Sequence, residues 1–376
     1  MQAIERPDCD LFCRVIDNFG DAGVCWRLAR CLARDHGWRV RLWIDAPQAL
    51  ACLKPEGVAH PGIEVVRWTD AFPSCLPAFC VIEAFACYLP PPFVAAMADI
   101  DPAPSWVNLE YLSAEDWIED CHRRVSRDPL TGLDKLFFFP GFTSRTGGLL
   151  RERDLLARRD QWVADAVLRQ STLTRIGLQV QPDALQISLF SYESPAIGTL
   201  IAALAGRERL SQLWVPEGRA LDAVSATLGR ALVPGEHWRC GALQIGALAF
   251  MDQDDYDALL WHCDLNIVRG EDSFVRAQWA ARPMIWHIYP QEDDAHRVKL
   301  DAFLDRQLDR LAEGPAGRIR AAHHVWNGQV EIGQEDWSGL LDDLPALTAH
   351  ARNWAAALAA QDDLAGQLVL FNQTPI

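Results

Sequence analysis

Short apolar runs alternate with stretches of helical period along this chain, and that alternation commits it to parallel α/β layers. The first instance is the clearest. Residues 11–16 form an apolar run with a β-branched end, which suits a buried strand. Asp17-Asn18-Phe19-Gly20-Asp21 breaks the run with turn residues. From Ala22 the period changes: Val24, Leu28, Cys31 and Leu32 recur at helical spacing, with Arg27, Arg30 and Arg34 between them. Strand, tight loop and helix follow one another, and the loop falls where open α/β sheets bind ligands, at the carboxyl end of a strand.

The same alternation continues. Residues 39–44, 63–68, 80–85, 106–112 and 135–139 read as further strands, with helices at 47–53 and 90–97. Residues 113–134 are polar and irregular, and 151–160 are dense in charge of both signs. The pattern then restarts, with strands at 185–190, 212–215, 243–250, 265–268 and 284–288 and helical segments after each; the tail at 347–371 is rich in Ala and Leu and helical. A chain of 376 residues holds about two domains. The expected architecture is therefore two Rossmann-like, doubly wound domains facing a central cleft. The first spans 1–155 and is completed by a C-terminal helix at 352–376; a linker covers 156–180, and the second domain covers 181–351.

Charge and cysteine usage exclude several classes. The formal net charge of −16 argues against a nucleic-acid partner held by phosphate contacts, while an acidic surface can steer in a basic protein. The eleven cysteines contain no CxxC pair, which favours reduced, buried thiols over zinc or redox chemistry. The N-terminal residues hold no apolar signal core, and no apolar run is long enough for a bilayer. The expectation is a cytoplasmic chain with no membrane partner.

Two constellations carry chemistry. Asp17 and Asp21 flank one turn, with Gly20 and Gly23 leaving room for close approach. A helix N-cap accounts for one of these acids. Two are more than a cap needs, and a carboxylate at a strand end can accept a proton or orient a cation. No GxGxxG follows the first strand, which counts against a dehydrogenase. In the second half, Arg269-Gly270-Glu271-Asp272-Ser273 joins a strand end to a helix start. Free N–H groups, the Ser273 hydroxyl and Arg269 suit a phosphate, and Glu271 and Asp272 suit sugar or ribose hydroxyls. Favourable pairing with the helix dipole also explains the two acids, though not Arg269. Phe190 and Tyr192 end one strand, and Phe250 and Tyr256 flank the end of another; flat rings there can stack on a base. Asp252 to Asp255 reads as a helix start and not as a metal-binding motif.

These motifs resemble those of the elongation factor P arginine rhamnosyltransferases, the EarP family of inverting GT-B glycosyltransferases. The matching stretches are Asp17-Asn18-Phe19-Gly20-Asp21-Ala22-Gly23-Val24-Cys25-Trp26-Arg27-Leu28, Phe190-Ser191-Tyr192-Glu193 and Arg269-Gly270-Glu271-Asp272-Ser273-Phe274, and the likeness runs over essentially the whole chain. The resemblance implies a donor, TDP-β-L-rhamnose, and an acceptor, one arginine of folded elongation factor P. It implies Asp21 as general base and Asp17 as the acid that orients the guanidinium, on an acceptor loop with Asn18, Phe19 and Gly20. Phe190, Tyr192, Phe250 and Tyr256 would hold base and sugar. Arg269, Glu271, Asp272 and Ser273 would hold the diphosphate and ribose or rhamnose, with no cofactor and no metal. Two other functions fit the same residues. One is a GT-B enzyme for a lipid or small-sugar acceptor, and the acidic charge opposes a membrane acceptor. The other is a non-catalytic nucleotide-sugar-binding protein, which would not need Asp17 or Asp21.

Overall fold

The computed structural model describes residues 6–16, 19–53, 60–69, 71–291, 294–331, 333 and 335–373. It divides into two compact units, residues 1–153 with 358–376 and residues 154–357.

The first unit runs β1 (Cys9–Cys13), α1 (Gly20–His36), β2 (Val40–Ile44), α2 (Gln48–Leu53), β3 (Ile63–Arg67), β4 (Cys80–Ala84), α3 (Pro91–Ala98), β5 (Ser105–Leu109), α4 (Trp117–Cys121), β6 (Val125–Arg127) and β7 (Asp134–Phe138). Among the described residues the sheet has seven strands in the order β3-β2-β1-β4-β5-β7-β6. It is parallel except for β6, which pairs antiparallel with β7. The central strands β1 and β4 are buried throughout, as strands covered on both faces must be. Phe12 anchors one face, stacked on Trp43 at 5.7 Å and packed against Trp68 and Phe93. From β1 the chain winds outward through β2 and β3, then returns to β4 and winds the other way. The carboxyl ends of β1 and β4 therefore flank the switch point where such sheets bind ligands.

The apolar run at 11–16 leaves the sheet at Cys13. The N–H of Val15 donates to Asp45 Oδ1 at 3.0 Å and that of Ile16 to Asp21 Oδ2 at 2.8 Å, so side chains replace a neighbouring strand as partners. The region 113–134, expected to be irregular, contains α4 and the exposed edge strand β6.

The second unit runs α5 (Leu155–Ala164), α6 (Ala166–Arg175), β8 (Leu185–Leu189), α7 (Ala196–Ala205), β9 (Ser211–Pro216), α8 (Arg219–Leu228), β10 (His237–Cys240), β11 (Leu243–Leu248), α9 (Gln253–His262), β12 (Leu265–Arg269), α10 (Asp272–Ala280), β13 (Met284–His287), α11 (Ala295–Gln307), α12 (Glu313–Trp326), α13 (Trp337–Asp342) and α14 (Leu344–Ala359). Among the described residues its sheet order is β10-β11-β9-β8-β12-β13, with β10 antiparallel and the rest parallel. The winding reverses between β8 and β12. Residues 156–180 are largely α5 and α6 and lie within this unit.

The tail is two helices. Asp363 breaks it, accepting the N–H of Gly366 at 2.9 Å as α15 (Leu364–Gln373) begins. That last helix belongs to the first unit. Leu364 N donates to Leu149 O at 3.1 Å, Gln361 Nε2 to Phe142 O at 3.1 Å, and Arg151 donates to Ala359 O at 2.9 Å.

Candidate active site

In the first unit the loop after β1 leads straight into α1. Asp17 and Asn18 lie outside the described residues. Phe19 stands at the N-cap position with no side-chain cap, Gly20 opens the helix, and Gly23 N donates to Phe19 O at 2.8 Å. Asp21 is therefore not the cap; it lies in the first turn and its carboxylate turns back toward the strand end. It is 4% exposed. Oδ2 accepts the Ile16 N–H at 2.8 Å and Oδ1 accepts the Tyr111 hydroxyl at 3.2 Å. Nearly two turns further along α1, Arg27 forms an ion pair with Glu152 at 3.4 Å, with both side chains buried. The Cys25 thiol is buried on α1. Its hydrogen bond with Cys13 and its burial push its pKa up, so it stays a neutral thiol. All eleven cysteines are free thiols.

In the second unit most of the predicted residues converge on the end of β12. Gly270 takes a left-handed φ of 61°, which turns the chain sharply into α10. The Trp286 indole donates to Gly270 O at 2.7 Å and holds that turn. The Arg269 guanidinium lies over Phe190 at 4.5 Å and Tyr192 at 4.9 Å, two cation–π contacts from the end of β8 across the switch point. Phe190 packs on Tyr256 at 5.4 Å. Tyr192 packs edge-on against His287 at 5.2 Å and Tyr289 at 5.8 Å.

The Ser273 hydroxyl is turned inward. It accepts the Arg269 N–H at 3.1 Å and donates to Arg269 O, so it locks the strand-to-helix turn. Glu271 occupies the N-cap position of α10, half-buried, and makes no side-chain cap bond. Asp272 accepts from Gln253 Nε2 at 2.9 Å. Phe250 lies half-buried beyond the end of β11, two strands from β8. A buried pair braces the helices behind the site: Arg276 Nε donates to Asp257 Oδ1 at 2.9 Å and a terminal nitrogen to Oδ2 at 2.5 Å, joining α10 to α9.

Burial sets the protonation of this cluster. It pushes the Tyr256 phenol well above its ordinary range. It also holds His287 down to about 3, with Arg269 adding to the effect, so the imidazole is neutral beside the guanidinium. Asp252 caps α9 by accepting Asp255 N at 2.8 Å, the helix start expected from sequence. Among the described residues no group of three or more His, Cys, Asp or Glu could hold a metal ion, and no helix is long and apolar enough to cross a membrane.

Tyr111, Gln253, His287 and Tyr289 were not singled out from sequence. Gln253 and Tyr289 each follow a strand and a short loop, a position that strand ends make visible; Tyr111 and His287 carry no motif of their own.

A sequence model of the family described as elongation factor P (EF-P) rhamnosyltransferase EarP matches residues 9–373. The chain belongs to this family. A protein-arginine rhamnosyltransferase of Pseudomonas putida is 47% identical over 369 residues, covering 96% of this chain and 97% of that protein. The protein of the same name from Pseudomonas aeruginosa is 46% identical, covering 96% and 98%. A solved structure described as the basis of EarP-mediated arginine glycosylation of translation elongation factor EF-P has a TM-score of 0.70 and 38% identity, covering 98% of this chain and 99% of that one. MurG of Acinetobacter baumannii shares the fold alone, with a TM-score of 0.50 and 14% identity over 97% of this chain and 99% of its own. The fold is that of the GT-B glycosyltransferases.

Proposed function

We propose that this protein transfers L-rhamnose from TDP-β-L-rhamnose to an arginine side chain of translation elongation factor P, with inversion at the anomeric carbon. The observation that carries this is the near-full-length similarity to proteins named protein-arginine rhamnosyltransferases. The site geometry supports it. A guanidinium has a pKa above about 12 and is a poor nucleophile. It needs carboxylates to orient it and to take a proton as the C–N bond forms. Asp21, buried and accepting the Ile16 N–H and the Tyr111 hydroxyl at the switch point of the first sheet, fits the base. Asp17 is assigned the orienting role by its place in the family motif.

In the second unit Arg269 and the start of α10 meet the charge of the leaving diphosphate, without a resident metal. Glu271 and Asp272 face sugar and ribose hydroxyls. Phe190, Phe250 and Tyr256 shape the base pocket. Tyr192, packed on the guanidinium, braces Arg269. The acceptor is the folded factor, met in the cytoplasm; nucleic acid and membrane take no part.

Intact mass measurement of elongation factor P after incubation with this protein and TDP-rhamnose tests the activity: one added deoxyhexose is expected, and none would refute it. Asp21→Asn tests the base. It should bind TDP like the wild type and transfer about 10²–10⁴-fold more slowly, because only the transition state uses the base. A near wild-type rate would remove Asp21 from that role.

A further inference from the structure

The turn after β4 is strained. Phe85, Ala86 and Tyr88 have φ values of 56°, 50° and 55°, in the left-handed region that residues with a β-carbon avoid. Such strain persists only where the surroundings over-determine it, and it clusters at functional sites. Here the surroundings are explicit. Glu83 is fully buried at the end of β4. Its Oε1 accepts the Tyr88 N–H at 2.9 Å, and its Oε2 accepts Trp106 Nε1 and Lys135 Nζ, both at 3.0 Å. Phe85 N donates to Leu109 O at 2.7 Å. The outcome of these constraints is the placement of one ring. Phe85 lies face to face on Tyr111, with centroids 4.3 Å apart and planes at 13°. The hydroxyl of Tyr111 donates to Asp21 Oδ1.

We propose that Tyr111 is a positioning residue for Asp21, and that the strained turn at Phe85–Tyr88 seats it. The inference rests on Asp21 acting as the base. A carboxylate held by one oxygen can still swing about its terminal torsion. Ile16 N holds Oδ2 and Tyr111 holds Oδ1, one donor on each oxygen, so the carboxylate plane is fixed. The 3.2 Å separation is long for a hydroxyl donating to a carboxylate. Hydrogen bonds in catalytic sites are often long before substrate binds and tighten afterwards. Misplacing a base by a small distance lowers the rate of transfer without touching substrate affinity.

The test separates chemistry from binding and folding. Tyr111→Phe keeps the stacked ring and removes the hydroxyl. It should lower kcat by about 10- to 100-fold, the size of one hydrogen bond to a charged group, with KM for both substrates and TDP affinity unchanged and any fall in melting temperature confined to a few degrees. In an Asp21→Asn background the same change should leave the residual rate where it is, because its effect passes through the carboxylate. Phe85→Leu keeps the hydroxyl and loses the stack. It should lower kcat in the wild-type background and add nothing to Tyr111→Phe. Wild-type kcat in Tyr111→Phe, alongside an inactive Asp21→Asn, would overturn the positioning role and leave the base assignment standing. A loss that persists undiminished in the Asp21→Asn background would also overturn it. Near wild-type transfer by Asp21→Asn would remove the base, and the positioning role with it.

Discussion

Arg269 shows how much of a site depends on what holds a charge and not only on the charge itself. Its guanidinium lies against two aromatic rings, and the Ser273 hydroxyl bonds both its N–H and its carbonyl. A long flexible side chain fixed in this way loses little further entropy when an anion arrives. Arg269→Ala should therefore weaken TDP binding by roughly 1.5–3 kcal/mol, the range for a hydrogen bond to a charged group. Tyr192→Ala should weaken it in the same direction, by up to about 3 kcal/mol. If Tyr192 acts by bracing Arg269, its effect should shrink in the Arg269→Ala background. Titration calorimetry with TDP decides this; unchanged affinity in both single variants would move the nucleotide site elsewhere. Residues of this kind were legible because they stand at strand ends in a recognisable run. Tyr111 was not, because its role depends on a left-handed turn at Phe85, and neither periodicity nor composition reports backbone sign.

Elements were legible where a run of apolar or β-branched residues marks them, even at an exposed edge such as β3. β1, β4, β8 and β12 are apolar runs covered on both faces, and each was anticipated to within three residues at either end. β6 and β10 were missed because they are short antiparallel edges with little burial, Val-Ser-Arg and His-Trp-Arg-Cys, and carry no alternating pattern. α12 was missed because Gly314, Pro315 and Gly317 crowd its first turn, where propensity counts against a helix that tertiary packing then secures. The break in the tail is set by Asp363, which caps α15. That helix meets the segment at Gly141–Arg151 through backbone bonds and very close approach. Gly148 has a φ of 71°, and a β-carbon there would collide with the carbonyl oxygen of Asp362. Gly148→Ala should destabilise the first unit by about 1 kcal/mol or more, since both the φ and the space are incompatible with alanine. Denaturant titration with hydrogen exchange across α15 checks it. Unchanged exchange of α15 and an unchanged midpoint would mean that the junction yields without cost.

At the scale of the whole molecule, the property that bears on function is charge. The chain carries a formal net charge of −16, and its proposed acceptor group is a cation. Arginine is common on protein surfaces, so one guanidinium cannot specify a target, and selection must come from the surface around it. An acidic enzyme and a basic patch attract over a distance set by the Debye length, about 10 Å at 0.1 M salt. Complementary charge of this kind acts mainly on encounter and weakens as salt screens it. The proposed base is a buried carboxylate, which salt screens far less. Transfer to folded elongation factor P should therefore fall as salt rises, through kcat/KM, while kcat at saturating acceptor stays nearly constant. A linear peptide bearing the same arginine should be a poor acceptor, because it must also be ordered on binding and presents little of the folded surface. Steady-state rates for both acceptors across a salt series measure this. A peptide modified as efficiently as the folded factor, or a kcat/KM indifferent to salt, would show that the enzyme reads a local sequence and not a charged, folded surface.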